Sequence, residues 1–358
     1  MSENLRVLVV GCGTQGSHHA RAYHHLEGFE VVGLVDRDPA NGARLAKELG
    51  GPPQFDDYES ALAKVKPDGV SISTWPDTHA RFALQALDAG AHVFLEKPLA
   101  ETVKDAEAVV RLAGKKKRKV LIGYILQHHP AWMRFIEVAR TLGKPLVMRM
   151  NLNQQSVGAA WEVHKRLMDT MSPIVDCGVH YVDVMCQMTL ARPVRVQAIG
   201  ARLTDEISRD MYNYGQLQVV FDEGSVGWYE AGWGPMMSEE AFFVKDVIGP
   251  KGCVSIVAAT AKEKGTSADI DSHTQANALR VHLAEAKPGG TFAKPDQILD
   301  TPDEPDHQGL CDREQAHWLK AIREDLDLTE HCEAAVNSLR VVLAADKSVR
   351  TGRVVNLK

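Results

Sequence analysis

The sequence lacks the features that define several large classes of protein. Its apolar runs stay far below the roughly 20 residues that a helix needs to cross a bilayer, and its opening residues lack the basic region and long apolar core of a signal peptide. Six cysteines in 358 residues are too few and too scattered for a disulfide scaffold. We therefore expect a cytoplasmic protein with reduced thiols and no membrane partner.

The chain also has no excess of positive charge. It contains 41 Lys and Arg against 47 Asp and Glu, which gives a formal net charge of −6. Nucleic-acid binders usually present a basic surface, so we predict no nucleic-acid partner. A basic run over residues 115–119 could be an import signal or a polyanion patch, but such runs more often form the solvated C-terminus of a helix.

Short β-branched runs alternate with helical stretches over residues 5–123. The apolar residues Ala80, Ala83, Leu84 and Leu87, for example, have the i, i+3, i+4, i+7 spacing of a helix. Alternation of this kind predicts a doubly wound parallel sheet of the Rossmann type, with helices on both faces. The length suggests two domains, and we place the dinucleotide-binding domain at residues 1–124.

The pattern changes after residue 124, because strands then follow one another with few intervening helices. A helix is predicted over about 173–190, and two more over 311–324 and 331–350. Successive strands predict a large, mostly antiparallel open sheet in a C-terminal α+β domain at residues 125–358. The strand-like stretches are 145–154, 194–204, 214–222, 225–233, 241–248 and 252–258.

A glycine-rich turn follows the first predicted strand. It reads Gly-Cys-Gly-Thr-Gln-Gly, the spacing G-x-G-x-x-G, and a helix should begin within it. The first glycine permits the tight turn, the second lets backbone approach a pyrophosphate, and the third lets the helix pack on the strand. The free N–H groups of the helix N-terminus would then bind phosphate. The candidate cofactor-binding residues here are Gly11, Gly13, Thr14, Gln15 and Gly16.

Asp36 ends the second predicted strand. A carboxylate at this place accepts hydrogen bonds from the ribose hydroxyls and repels a 2′-phosphate, which favours NAD over NADP. Arg37 follows directly and could stack on adenine or bind a 2′-phosphate, so NADP stays possible. The alternative is a Rossmann-like domain whose glycines only make a tight turn.

Lys97 lies where the predicted strand that begins at His92 runs into a charged pair and a proline. Ligands bind at the carboxyl ends of strands in a doubly wound sheet, which puts Lys97 at the functional edge. Pro98 fixes the backbone and would aim the lysine reproducibly. The alternative is an ordinary surface pair of Glu96 with Lys97.

Asp176, His180 and Asp183 share one face of the helix predicted at 173–190, with Ser172 as its cap. A carboxylate and an imidazole on one stripe suit proton transfer, because histidine titrates near neutral pH. The alternative is a histidine satisfied by an aspartate inside a helix–sheet interface. Zinc binding is disfavoured because no C-x-x-C or H-E-x-x-H spacing is present, and we predict no metal.

Three of these elements together resemble the Gfo/Idh/MocA oxidoreductase family. They are the glycine turn with Asp36, the Glu-Lys-Pro motif at 96–98, and D-x-G-x-H-x-x-D over 176–183. The resemblance extends from residue 5 to residue 355 and implies that Lys97, Asp176 and His180 are the catalytic set.

The resemblance also implies further contacts, with three departures from the family pattern. One is that Met171, Ser172 and Pro173 stand where the family often has a glycine-rich run before its Asp. Asp77 stands where the family usually has Asn, and Gln127 where many members carry Arg. The implied cofactor contacts are Thr74, Trp75, Pro76, His79, Glu96 and Lys97. The implied substrate contacts are Gln127, Asp176 and His180. Trp161 and His164 are further candidates, for ring stacking and for hydroxyl contacts, and simple packing is the alternative for both.

By resemblance, the chain is an NAD-dependent oxidoreductase that transfers hydride between a sugar, inositol or related polyol and the nicotinamide. One alternative is a redox-neutral glycosidase or lyase that works through transient oxidation at C3. Another is a non-catalytic, cofactor-binding regulatory protein. Retention of Lys97, Asp176 and His180 argues against the last of these.

The antiparallel sheet has too few helices to cover both of its faces. An uncovered apolar sheet face is normally an interface, and two-fold symmetry is the commonest way to bury it. We therefore predict a homodimer or homotetramer joined through the C-terminal sheet, as the resemblance also implies. The residues expected to compete for cover on that face are Val219, Phe221, Val226, Trp228, Phe243 and Val247.

Overall fold

The computed structural model describes residues 4–240, 242–257, 266–269, 271–301 and 304–357. It divides the chain into two compact units. The first comprises Met1–Ile125 with Pro305–Val336, and the second comprises Leu126–Glu304 with Asn337–Lys358. Residues 241 and 258, at the ends of two predicted strands, lie outside the described residues.

The first unit contains a six-stranded parallel sheet, which confirms the Rossmann-type prediction. Its strand order is β3-β2-β1-β4-β5-β6, with the order reversing beside β1. The strands are β1 (Leu5–Val10), β2 (Phe29–Val35), β3 (Gln54–Phe55), β4 (Gly69–Ile72), β5 (His92–Leu95) and β6 (Val120–Ile122). The helices between them are α1 (Thr14–His25), α2 (Pro39–Glu48), α3 (Tyr58–Val65), α4 (Pro76–Asp88) and α5 (Val103–Lys116).

Side-chain caps begin most helices of the first unit, and α1 is an exception. Asp38, Asp57 and Thr102 each accept a backbone N–H at the start of α2, α3 and α5. Such caps satisfy donors that the first turn of a helix leaves unpaired. Gly13, the N-cap residue of α1, supplies no side-chain cap, so the first turn keeps N–H groups for another acceptor.

Helix α10 (His307–Arg323) also belongs to the first unit, although the sequence placed it in the second domain. The reason is packing, because its fully buried Trp318 contacts the rings of Tyr23, Phe29 and Phe94. A Cβ on Gly69 would lie 2.6 Å from that indole, so β4 has no room there for a side chain. The helical periodicity of α10 does not reveal which sheet it covers.

The second unit contains a mixed, mostly antiparallel sheet of nine strands, which confirms the second part of the fold prediction. The strand order is β14-β13-β12-β11-β7-β10-β9-β8-β15, and only the β7–β10 pair is parallel among those described. The strands are β7 (Val147–Gln155), β8 (Pro193–Ala201), β9 (Tyr214–Phe221), β10 (Val226–Gly234), β11 (Lys245–Gly249), β12 (Gly252–Val257), β13 (Ala278–Leu283), β14 (Gln297–Asp300) and β15 (Val355–Asn356).

The helix predicted at 173–190 is present, with an interruption. It is divided at Cys177 into two pieces. The two pieces are α8 (Pro173–Asp176) and α9 (Gly178–Thr189). The other helices that follow β6, besides α10, are α6 (Pro130–Thr141), α7 (Ala159–Leu167) and α11 (Thr329–Thr351). Within the described part of the chain, no helix is both long and apolar enough to cross a bilayer.

The expected composition of the uncovered sheet face was partly wrong. Val219, Phe221 and Val247 are fully buried, so they point to the face that the helices cover. Val226 is exposed, and Trp228 two residues later is half-buried. Side chains alternate between the two faces of a strand, but the sequence does not show which face the helices cover. Some of these residues were therefore expected on the wrong face.

Candidate cofactor and catalytic residues

The glycine turn between β1 and α1 is built so that two of its glycines cannot be replaced. Gly11 has φ +90°, and a Cβ on it would lie 2.4 Å from the carbonyl oxygen of Ser73. A Cβ on Gly16 would lie 1.8 Å from the carbonyl oxygen of Gly11. The turn and the helix–strand contact therefore both require glycine, for the reasons that the motif suggested.

Gly13 has the opposite surroundings, because a Cβ on it would meet nothing within 4 Å. It is exposed and directly precedes α1, and no acidic side chain lies in the first turn of that helix. Thr14, the first helical residue, is exposed, and Gln15, the second, is half-buried. An open approach to uncapped N–H groups fits the pyrophosphate of a dinucleotide.

Asp36 is tied to this turn by its carboxylate. Its Oδ2 accepts the backbone N–H of Cys12 at 2.7 Å, and its Oδ1 accepts that of Asp38 at 2.8 Å. The carboxylate is thus fixed beside the glycine turn, and each oxygen keeps a lone pair for a ribose hydroxyl. Arg37 is exposed and lies next to it in sequence.

The loop after β4 leads into α4 and is joined to the loop after β5 by His79. Nδ1 of His79 lies 2.7 Å from the carbonyl oxygen of Pro98, and Nε2 lies 3.1 Å from that of Thr74. Burial lowers the pKa of His79 despite these two carbonyls. The ring is 1% exposed, so it holds two loops together. By contrast, Trp75 is exposed and Pro76 is half-buried.

Lys97 follows β5 at the carboxyl edge of the parallel sheet, as the sequence indicated. Its side chain is half-buried, whereas the Glu96 side chain is almost fully buried. The backbone N–H of Lys97 donates to Glu96 Oε2 at 3.1 Å. The pair is therefore not an ordinary surface pair, because one member lies inside the unit.

In the second unit, α8 and α9 place Asp176 and His180 on one half-buried stripe. Ser172 caps α8 by accepting the N–H of Val175, and its hydroxyl donates to Asp346 at 2.6 Å. A Cβ on Gly178 would lie 3.1 Å from the ring of Tyr229, so glycine lets α9 approach β10 closely.

Asp183 lies deeper on the same stripe and is fully buried. Gln127 donates from Nε2 to Asp183 Oδ2 at 2.7 Å. Burial raises the pKa of Asp183 to about 7, and the hydrogen bonds from Gln127 and Gln187 oppose that rise. The predicted substrate contact Gln127 is thus paired with a buried carboxyl group.

This burial gives a test through stability. Because the folded pKa of Asp183 is raised, its protonated form favours folding, and that contribution is lost as pH rises from about 4 to about 7. Asp183→Asn has no carboxyl group to titrate, so its stability should not fall over this pH range. At pH 8 its free energy of unfolding should exceed that of wild type by up to ~4 kcal/mol. Urea unfolding of both proteins at pH 4.5 and pH 8 measures the difference, and parallel pH responses would contradict it.

His164 and Trp161 project from α7 with different partners. The His164 ring stacks on Trp233 of β10 at 4.3 Å and 8°, and its Nδ1 lies 2.9 Å from the Ser156 hydroxyl. Burial lowers the pKa of His164 to about 4, and the charge of nearby Asp176 opposes that fall. The Trp161 indole instead donates to Glu206 at 3.3 Å.

Sequence reasoning missed Trp233, His19 and Gln315. Trp233 is 1% exposed, and its indole N–H has no acceptor among the described residues. Its alternation with Tyr229 and Ala231 along β10 was the available signal for the helix-covered face. No cluster of metal-ligating side chains occurs in the described part of the chain.

Comparison with known families gives two matches along the chain. A family described as "Oxidoreductase family, NAD-binding Rossmann fold" matches residues 5–124. The "GFO/IDH/MocA C-terminal domain" matches residues 135–254. Together the two matches cover more than half of the chain.

Curated relatives are similar over part of their length. UDP-N-acetylglucosamine 3-dehydrogenase of Acidithiobacillus ferrooxidans is 30% identical over 57% of this chain and 60% of that protein. Inositol 2-dehydrogenase of Paracoccus denitrificans is 28% identical over 51% of this chain and 53% of that protein. The chain thus matches somewhat more than half the length of these two relatives.

Solved structures match over almost the whole chain. An oxidoreductase from Agrobacterium radiobacter, crystallised with NAD+, L-tartaric acid and magnesium, superposes with a TM-score of 0.78. The superposition covers 99% of this chain and 98% of that one at 17% sequence identity. At that identity the likeness concerns the fold.

Proposed function

The chain belongs to the Gfo/Idh/MocA oxidoreductase family, and from that premise we propose that it transfers hydride between NAD and a polyol. The substrate class is a sugar, an inositol or a related polyhydroxylated molecule. The observation that carries the proposal is the open approach to Gly13 and the uncapped α1, in a chain that retains Lys97, Asp176 and His180. The relatives named for inositol and for UDP-N-acetylglucosamine support the substrate class.

Each of the three retained side chains has a role that follows from its chemistry. NAD, when bound by the glycine turn and Asp36, supplies the hydride-accepting carbon. His180 removes the proton of the reacting hydroxyl as a general base. The cationic Lys97 stabilises the developing alkoxide and relays the proton, and Asp176 orients the imidazole.

The proposed substrate contacts are Gln127, Trp161 and His164. A histidine whose pKa is held near 4 is uncharged at neutral pH, so His164 suits hydroxyl groups better than an anionic group. Gln127 offers an amide where an arginine would carry charge, which also favours a neutral substrate part.

The test is a search for turnover with NAD. Purified protein is mixed with NAD and, one at a time, with myo-inositol, UDP-N-acetylglucosamine and a panel of free sugars, while NADH absorbance is followed. Sustained NADH formation with one of these compounds supports the proposal. Release of an aglycone from a glycoside without net NADH would support the redox-neutral alternative instead.

The cofactor preference gives a further test. Asp36→Ala should narrow or reverse the preference for NAD over NADP, because the carboxylate that accepts ribose hydroxyls and repels a 2′-phosphate is removed. Values of kcat/KM with both cofactors measure this, and Asp56→Ala is a matched control because Asp56 is an exposed carboxylate nearby. A wild-type protein that favours NADP tenfold, about 1.4 kcal/mol, would contradict the assignment.

We also propose a homodimer or homotetramer joined through the exposed face of the C-terminal sheet. Exposed apolar residues on four of its strands support this, namely Val147, Ile199, Val226 and Ile248. Light scattering at low micromolar concentration should give at least twice the chain mass of 39.3 kDa. Val226→Lys should shift the mass toward the monomer, and a wild-type monomer would contradict the proposal.

A further inference from the structure

A buried hydrogen bond joins the helix after the glycine turn to the loop that carries Lys97. His19 of α1 places Nε2 at 2.7 Å from Glu96 Oε1. The other carboxylate oxygen of Glu96 accepts the backbone N–H of Lys97. His19 is 1% exposed, so water does not compete effectively for this contact.

Two further buried side chains fix which nitrogen of His19 carries the proton. The Tyr23 hydroxyl donates to Gln315 Oε1 at 2.8 Å, and the Gln315 amide nitrogen lies 2.9 Å from His19 Nδ1. An amide nitrogen can only donate, so Nδ1 is the acceptor and Nε2 carries the hydrogen. Nε2 is therefore the nitrogen that donates to Glu96.

The surroundings of Glu96 leave its carboxylate little freedom. A Cβ on Gly123 would come within 3.2 Å of that carboxyl group. The other titratable groups that act on this region include Lys97, His79 of α4, Tyr23 of α1, and Cys311 and Glu314 of α10. Burial first and the charge of Glu96 second raise the pKa of Glu314 well above its usual range, which favours its uncharged form.

We propose that His19 is a positioning residue for Lys97, which it holds in place by donating a hydrogen bond to Glu96. The series Tyr23, Gln315, His19 and Glu96 fixes the peptide group at which the Lys97 side chain begins. A misplacement of about 1 Å at a reacting group can cost ~10²-fold in rate, so a distant anchor of this kind matters. This inference rests on the proposed role of Lys97.

The test uses two replacements at one position. His19→Leu removes the donor, whereas His19→Gln places an amide N–H close to the position of Nε2. We expect kcat, measured with the polyol of the panel that is turned over fastest, to fall about 10–100-fold in His19→Leu. His19→Gln should recover to within about threefold of wild type, and the Kd for NAD should change by less than about threefold in both.

A second pair of variants tests the next step of the series in case His19→Leu fails to fold. Gln315→Leu removes the donor to His19 and should lower kcat in the same direction. Glu314→Gln is the matched control, because Glu314 is the neighbouring residue of α10 and is equally buried. Its kcat should stay within about twofold of wild type.

A measurement without substrate separates this inference from the proposed function. Acylation of Lys97 by an amine-reactive ester, followed by peptide mass spectrometry, should be at least threefold faster in His19→Leu than in wild type and His19→Gln. The result stands whether or not any polyol is oxidised. Equal acylation of all three proteins, unchanged kcat in His19→Leu, or equal losses in His19→Leu and His19→Gln would overturn the inference.

Discussion

Replacing Lys97 with alanine is expected to lower kcat by ~10²–10⁴-fold while NAD binding persists. The ammonium group would no longer stabilise the alkoxide, but the glycine turn and Asp36 would be unchanged. Lys97→Arg keeps the charge and loses the proton relay, so it should fall between alanine and wild type. Steady-state kinetics measure kcat, and quenching of protein fluorescence measures NAD binding.

Lys104→Ala is the matched control for this experiment. Lys104 is an exposed lysine in the first turn of α5, seven residues along the chain, and its loss should leave kcat unchanged. If Lys97→Ala retained more than about a third of the wild-type turnover, the assigned role of Lys97 would be wrong. The proposed function would then need another group to stabilise the alkoxide.

Replacing His180 with alanine should cost a comparable ~10²–10⁴-fold, through loss of the general base. The loss of activity in His180→Ala should differ from that in Lys97→Ala in how it depends on pH. The acid limb of the kcat/KM profile, which reports protonation of the base, should weaken or disappear in His180→Ala. NAD binding should persist, because the glycine turn is unaltered.

Asp176→Asn should lie between His180→Ala and wild type, because it removes an orienting charge and leaves the base in place. Measuring kcat/KM from pH 5 to pH 9 for all three proteins compares them directly. An acid limb that persists unchanged in His180→Ala would assign the base to another residue, of which Lys97 is the first candidate.

The architecture was predictable because buried parallel strands leave a strong trace in sequence. Within Leu5–Val10, for example, residues 7–10 are all apolar and buried without alternation, since helices cover both faces of the sheet. In the second unit, strands without helices between them indicated antiparallel pairing. Both predictions rest on local patterns, and both sheets are found.

The sequence did not reveal which surfaces meet. Phe221 was expected on the uncovered face of the sheet, but it is 1% exposed and lies on the face that the helices cover. The alternation of side chains along a strand does not show which of the two faces is covered. Trp318 was assigned to the second domain and packs in the first unit. In each case the deciding contact joins segments that are distant in the chain.

The sequence identified candidate site residues one at a time, but it did not identify their hydrogen-bond partners. Asp183 was placed on the stripe with His180, yet its partner Gln127 lies 56 residues earlier in the chain. His79 was singled out by resemblance, and only the structure shows that each of its ring nitrogens lies close to a backbone carbonyl oxygen. Hydrogen bonds of such long sequence separation leave no periodic signal.

The position of α10 has a consequence for synthesis on the ribosome. The ring cluster of Tyr23, Phe29 and Phe94 is completed by Trp318, which is translated long after β6. At ~5–20 residues per second, the nascent N-terminal sheet waits on the order of 10–40 s for the helix that covers these rings. During that interval it presents an aromatic surface to chaperones, and a fragment that ends near residue 125 would present it permanently.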